Sequence, residues 1–308
     1  MIRFIARRIF LETIPALLVI ATITFFLIRL APGGPFSTEK SISVEVLNQL
    51  NSHYGLDKPL LTQYFLYLSK MLTIDFGPSF KYPGRTVTEL IAESFPVSLE
   101  LGLYALIIAL VLGILSGMIA ASKPSSIRDY LTMSVSMTGI CIPSFVLGPL
   151  LVLIFSLKLG LFNVSGWNTA SDRILPALSL GMVYVAYISR LTRGSLLETM
   201  VQDYIRTARA KGLSEKIIIF RHALRGAILP VLSFLGPAAA GLITGSFVIE
   251  TIFSIPGLGR FFVTAAFNRD YTMIMGTVVF YALIMIFFNT IVDILIAFLN
   301  PRLRSTLK

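Results

Sequence analysis

Few side chains in this sequence have the types and spacing that chemistry needs. Neither G-x-x-x-x-G-K-[ST], whose backbone N–H groups cradle nucleotide phosphates, nor the zinc pattern H-E-x-x-H occurs in the 308 residues, which argues against a P-loop ATPase and against that kind of zinc protease. His53 and His222, the two histidines, lie far apart with no histidine or cysteine beside them, so no metal site is expected. The single cysteine, Cys141, cannot form a disulfide within the chain and falls in an apolar run, which predicts a buried, inert thiol. No nucleophile–base pair emerges either. The chain reads as a non-enzyme that holds no cofactor of its own.

What remains is polar groups placed where polarity is costly. Glu12 and Asp293 sit near the ends of long apolar runs, and Asn289 lies within one. Charge at membrane depth is expensive unless paired, so each acid is expected to meet a basic residue and stiffen the inner half of a pathway. A proton relay would need further acids deeper in, and none appears. Asn289 is a candidate pathway residue. Glu250 to Gly259, ETIFSIPGLG, is the other candidate: Pro256, Gly257 and Gly259 force an irregular return, while Phe253 and Ile255 are apolar enough to re-enter. It is either a tight reversal or a loop lining the outer mouth, with Glu250 facing a cationic group outside.

The longest polar interruption of the second half is Val201 to Pro230, which holds Arg206, Arg209, Lys211, Lys216, Arg221 and Arg225 against Asp203 and Glu215. It predicts two short helices around a turn. Asp203 would cap the first, and Gly212 would end it in the left-handed conformation. Ser214 would cap the second, running to about Leu224. Thr207, Ala208 and Ala210 are small, so the first helix can lie close against a partner.

These stretches are positioned by a very apolar chain. Hydrophobic residues make up 55%, charged residues only 14%, and the mean hydropathy is +0.81. That composition excludes a soluble domain of this length and predicts a polytopic helical membrane protein surrounded by lipid. The formal charge of +10 sits in loops between spans, which reads as a topology signal and not as a nucleic-acid surface.

A span needs about 20 mostly apolar residues. Six are expected, at about 9–29, 99–121, 131–157, 174–188, 228–248 and 277–298, with kinks at Pro143 and Pro237. No cleavage site follows the basic start MIRFIARRIF, so the first 30 residues should stay as a span. Gly113 and Gly117, and Gly241 and Gly245, have the spacing that lets helices approach within one subunit. Lys and Arg near the amino terminus, around Arg128, from Arg190 to Arg225 and in the 299–308 tail put both ends inside.

Residues 31–98 form a long outer segment patterned for three helices. The first would be capped by Ser43 and end near Gly55, and the second would start with Pro59 in its first turn and reach about Leu72. The third would be opened by the capping box Thr86-Val87-Thr88-Glu89 and stop before Pro96. Trp167, in the second outer loop, suits an interfacial anchor.

The Val201–Pro230 stretch resembles the EAA loop, the cytoplasmic element by which ABC importer permeases dock on their ATPase subunits. Arg206, Thr207 and Ala208 take the Glu-Ala-Ala positions, Gly212 the motif glycine, and His222 and Leu224 the later apolar positions. The departures at Arg206 and at Arg225, where proline is commoner, are those of the peptide and nickel branch, whose loops read TARAKG followed by HALR or HALK. The string TARAKGL…RHAL, with Leu213 closing its first half, is specific. IRLAPGGPF, DFGPSF, SFPVSLELG, MTGICIPSF, RLTRGSLLE and ETIFSIPGLGR extend the resemblance over nearly the whole chain, nearest to B-type permeases of oligopeptide importers.

The resemblance implies a type I ABC importer permease fold, with a core over 94–298 and a helical insertion outside after the first span. It also implies a bacterial inner-membrane location, a homologous second permease, two ATP-binding subunits and an external binding protein that delivers a peptide. The docking loop would comprise Arg206 to Leu213 with His222 and Leu224. Glu250 would then meet a cationic peptide terminus or the binding protein. Dipeptide, murein-peptide and nickel importers share that loop and remain open alternatives. An ion-coupled secondary transporter predicts an internal repeat with polar groups on interrupted helices, and no convincing repeat is present.

Overall fold

A computed structural model of the chain describes residues 9–30, 34–36 and 44–299. The basic amino-terminal start, Ser43 and the 300–308 tail, on which part of the charge and capping argument rests, lie outside the described residues. Those described form helices joined by turns and irregular segments, with one isolated bridge between Pro78 and Thr86. Five helices are long and apolar enough to cross a membrane, and one bent pair passes the same test together. With the pair counted as one span, the number is the six expected.

In chain order the helices are α1 (Ile14–Leu30, entered by a π-turn Ile9–Thr13), α2 (Val44–His53), α3 (Leu60–Leu72), α4 (Val87–Ser122), α5 (Ile127–Cys141) and α6 (Ser144–Leu151, continued as a π-helix Val152–Lys158). Next come α7 (Ile174–Met200), α8 (Asp203–Ala210), α9 (Glu215–Ile217) and α10 (Leu224–Ala227), followed by α11 (Leu229–Thr244), α12 (Phe247–Ile252), α13 (Leu258–Asn268) and α14 (Tyr271–Leu299). The chain divides into two compact units, one of Met1–Pro96 with Gly257–Ile286 and one of Val97–Pro256 with Phe287–Lys308.

The first unit contains α1, α2, α3, the start of α4, α13 and the start of α14. Its core gathers Ala21, Phe76, Val87, Leu90, Leu258 and Met273. The expected capping box is present: Glu89 N–H donates to Thr86 Oγ1 at 3.2 Å, and Thr86 N–H to Glu89 Oε2 at 3.0 Å. Pro59 serves as the N-cap of α3 and not as a first-turn residue. Asp270 ties α14 to the 79–82 turn, accepting from Ser79 Oγ at 2.5 Å and from Lys81 N–H at 3.3 Å.

Pro96 does not stop the outer helix as expected. Α4 runs on unbroken to Ser122 with Pro96 inside it. A proline removes one rung of the ladder, whereas ending the helix there would leave several backbone groups without helical partners, so continuation is the cheaper outcome.

In the second unit, close backbone approach replaces hydrophobic driving force, since lipid is as apolar as the helix surfaces. A Cβ on Gly139 of α5 would lie 2.0 Å from the Met182 carbonyl oxygen of α7, and one on Gly181 would lie 2.8 Å from that of Ala105 in α4. Gly113 and Gly117 likewise abut Ile188 and Thr192 of α7, the within-subunit packing expected of them. Gly241 abuts Tyr184, but Gly245 meets only the Gly241 carbonyl of its own helix.

The third span is interrupted more severely than a kink. Ile142, held extended before Pro143 (φ −100°, ψ 117°), separates α5 and α6 at 111°. Cys141 ends α5 there and is exposed, against the buried thiol expected. Helix α7 extends to Met200, past the 188 expected from hydropathy, carrying Arg190 and Arg193 in its last turns. Helix α11 carries Pro237 without interruption.

Candidate functional site

The polar stretch after α7 folds as a compact elbow. Gln202, extended at φ −71° and ψ 151°, is the N-cap of α8, so Asp203 stands one residue inside and not at the cap itself. The first helix ends in a Schellman turn: Leu213 N–H donates to Ala208 O at 3.4 Å and Gly212 N–H to Arg209 O at 2.9 Å. Gly212 has φ +78°, the left-handed conformation its position predicts, and open space where a Cβ would go. Ser214 caps the second leg by backbone geometry without a side-chain bond, and that leg is a helix–π–helix run ending at Ala227 and not near Leu224.

Arg209 clamps the two legs. Its Nε donates to Glu215 Oε1 at 2.7 Å, and that hydrogen bond holds the guanidinium more firmly protonated than an ordinary arginine.

The elbow has two faces. Ile205, Ala208, Ile218, Ala223 and Ala227 are buried against Met118 and Ala121 of α4 and Leu196 of α7, with Leu213 and Leu224 half-buried beside them. Ala208 therefore packs on this chain's own spans, and Thr207 and Ala210 are the small residues that stay exposed. Arg206, Thr207, Ala210, Lys211 and Gly212 are exposed, next to exposed apolar Tyr204, Ile217 and Phe220 (61%), while His222 is half-buried. Exposed aromatic and aliphatic side chains together with exposed arginines form a surface suited to protein docking.

Sequence reasoning missed a buried charge contact of this unit. Asp129, only 2% exposed at the start of α5, accepts from Arg193 Nε and Nη2 of α7, both at 2.7 Å, and from Ser125 N–H at 3.0 Å. The partners are 64 residues apart, and no local spacing announces them.

Glu250 is not the outward-facing carboxylate expected of it. It lies fully buried in α12, where its Oε1 accepts from Ser98 Oγ at 2.7 Å and from Ser246 Oγ. A carboxylate taken from water needs such donors, and the helix that starts after Ser246 turns it inward to find them. Phe253 is also buried, and its carbonyl accepts from Gly166 N–H at 2.9 Å. Pro256 is exposed at the end of this unit; Gly257 and Gly259, both buried, open α13 of the other. Nearby, Asp172 accepts from Asn163, Asn168 and Thr169, and Arg173 stacks over Trp167 at 4.7 Å.

Of the intramembrane polar groups, Glu12 is exposed in the π-turn before α1 and Asp293 is half-buried in α14. Asn289 packs against α11, and a Cβ on Gly236 would come 2.6 Å from its Oδ1.

A bundle of interrupted apolar helices with a polar elbow after its fourth span is the architecture of a type I ABC importer permease. Solved structures share it: an inward-facing MetNI methionine ABC transporter (TM-score 0.56, 16% identity, 68% of this chain and 96% of that one) and an amino acid ABC transporter with histidines (TM-score 0.51, 17% identity, 68% and 93%). Residues 113–305 match the family described as binding-protein-dependent transport system inner membrane component, and residues 1–102 match its amino-terminal companion. The chain belongs to that family.

Among its relatives are the oligopeptide transport system permease protein OppB of Haemophilus influenzae and that of Salmonella typhimurium. Each is 49% identical over 306 residues, covering 99% of this chain and all of the relative. The dipeptide transport system permease protein DppB of Bacillus subtilis is 44% identical, covering 99% of this chain and 98% of its own length.

Proposed function

We propose that this chain is one permease subunit of an ATP-driven importer of oligopeptides in the bacterial cytoplasmic membrane, forming half of the pathway beside a homologous second subunit. The observation that carries the reading is the end-to-end match to oligopeptide permeases at 49% identity, above the 44% of the dipeptide permease. Two ATPase subunits bind the nucleotide, and this chain has no ATPase site. They engage the exposed face of Arg206 to Gly212 with Tyr204 and Phe220, while Ala208, Leu213, His222 and Leu224 seat the elbow on the spans. The buried face joins the elbow to α4 and α7, so movement of the docked ATPases is passed to those helices, provided docking contacts differ between the two states.

A binding protein outside delivers the peptide near the Pro256–Gly257–Gly259 return, and both termini face the cytoplasm. Phe253 and Glu250 brace that return from within. Glu12 and Asp293 are structural charges of the inner half, and Asn289 holds α14 against α11.

Affinity purification of the tagged full chain in mild detergent tests this reading. A second permease and P-loop ATPases should accompany the wild type and be lost from Gly212→Phe, whose side chain would project into the docking face. The left-handed residue itself costs about 1–2 kcal/mol, so the chain should still fold. A chain that purifies alone and takes up tetrapeptide into vesicles on an ion gradient without ATP overturns it.

A further inference from the structure

The first unit holds a cavity of about 330 Å³ between the outer end of α1, the outer helices and the start of α14. Arg29 lines it. The Arg29 Nε and Nη2 share a single acceptor, Gln63 Oε1, at 3.2 and 2.7 Å, and Nη1 makes only long contacts to the Phe25 carbonyl (3.4 Å) and the Met275 thioether (3.9 Å). Gln63 is itself fixed, its amide donating to Leu56 O at 3.0 Å and Lys58 O at 2.8 Å. The guanidinium lies 3.6 Å over the Phe25 ring, and no carboxylate among the described residues pairs with it.

Tyr67 stacks on the same Phe25 at 5.8 Å and keeps its hydroxyl buried without a hydrogen-bond partner among the described residues. Lys58 and Lys70 stand at the exposed rim. The one carboxylate of the lining is already engaged: Asp75 accepts from Gly77 N–H at 2.9 Å and lies 3.8 Å from Lys70 Nζ.

A half-buried guanidinium with spare N–H groups, a phenol without a partner among the described residues and an exposed lysine around one space are the elements of an anion site. Each donor left unmade there costs free energy that an incoming oxyanion would recover. We propose that this cavity binds a phosphate group, with its oxygens taken by the spare Arg29 Nη hydrogens and the Tyr67 hydroxyl, and Lys58 at the mouth. The aromatic walls, Tyr54, Phe76 and Phe80, leave room for an organic substituent on the phosphate. Arg29 ends an apolar span whose exposed residues include Leu27 and Leu30, so the site stands where lipid headgroups meet water. An anionic phospholipid headgroup and free phosphate offer the same chemistry. The inference does not depend on which substrate crosses the membrane.

The full chain in dodecyl maltoside micelles tests it by thermal unfolding, with dioleoylphosphatidylglycerol, dioleoylphosphatidylcholine and inorganic phosphate as probes. Phosphatidylglycerol should raise the wild-type midpoint and phosphatidylcholine should not. Arg29→Gln should weaken the response at least tenfold. Arg29→Lys, which keeps the charge but loses the fork, should recover only part of it. Should Arg29→Gln fail to fold, Tyr67→Phe and Lys58→Gln, which alter one donor each, should still weaken binding several-fold. A response to inorganic phosphate with the same residue dependence, and none to the lipid, assigns the site to a soluble anion. Equal responses of wild type, Tyr67→Phe and the Arg29 variants, or no anion response in the wild type, overturn the proposal.

Discussion

The Asp129–Arg193 pair makes a prediction whose sign is set by burial. The Asp129 side chain is 3% exposed and the Arg193 side chain 31%. Removing one partner of a buried pair costs about 3–5 kcal/mol because the other is left charged and dry. Arg193→Ala leaves Asp129 with Ser125 N–H as its remaining charge-stabilising donor and should reach that range. In Asp129→Ala the guanidinium is left, and a third of it already meets solvent, so the loss should be about 2 kcal/mol. Replacing both by leucine should restore most of the stability, since well-packed apolar residues often match a buried pair. Unfolding of the full chain by SDS titration in mixed micelles gives the three differences. An Asp129→Ala cost equal to or above that of Arg193→Ala, or both below about 0.5 kcal/mol, would refute the burial argument.

Two glycines in helices should behave in opposite ways. Gly139→Ala places a methyl 2.0 Å from the Met182 carbonyl and should abolish folded yield, whereas Gly194→Ala meets nothing within 4 Å and should stabilise α7 by up to about 1 kcal/mol, both read in the same SDS titration. Glu250→Gln keeps an acceptor for Ser98 and Ser246 and should leave peptide uptake within twofold of wild type, while Glu250→Leu removes that acceptor and should cost about 1–3 kcal/mol. Loss of uptake in a stable Glu250→Gln protein would return that carboxylate to the transport pathway. Asp172→Ala removes the acceptor of Asn168 and Thr169 N–H and should lower the unfolding midpoint more than Asp172→Asn, which retains one carbonyl.

What the sequence disclosed was local and periodic. Apolar runs marked the spans, and a glycine three residues after Arg209 marked the left-handed turn of the elbow, because both depend on neighbours in the chain. The burial of Ala208 and Glu250 depended on which face a short helix turns to the bundle, which neighbours in the chain do not encode. The Asp129–Arg193 contact joins separate helices, and its only trace was an acid and an arginine in segments that hydropathy treated as ends of spans. Proline was over-read at Pro96 and under-read at Pro143. Pro96 is carried inside α4, whereas the chain breaks at Pro143, whose predecessor is held extended.

That break at Ile142 and Pro143 has a consequence for where water goes. The last carbonyls of α5 lose their helical donors at the bend, apart from Thr138, whose oxygen accepts from Ile142 N–H at 2.9 Å. Lipid offers such groups nothing, so irregular backbone at this depth persists only against protein or a hydrated space. Cys141, the sole thiol of the chain, sits exposed at that bend. It is a built-in gauge of wetness: a charged, membrane-impermeant maleimide that modifies it as fast as an uncharged one marks a water-lined niche, and protection from the charged reagent marks a bend sealed by a neighbouring subunit.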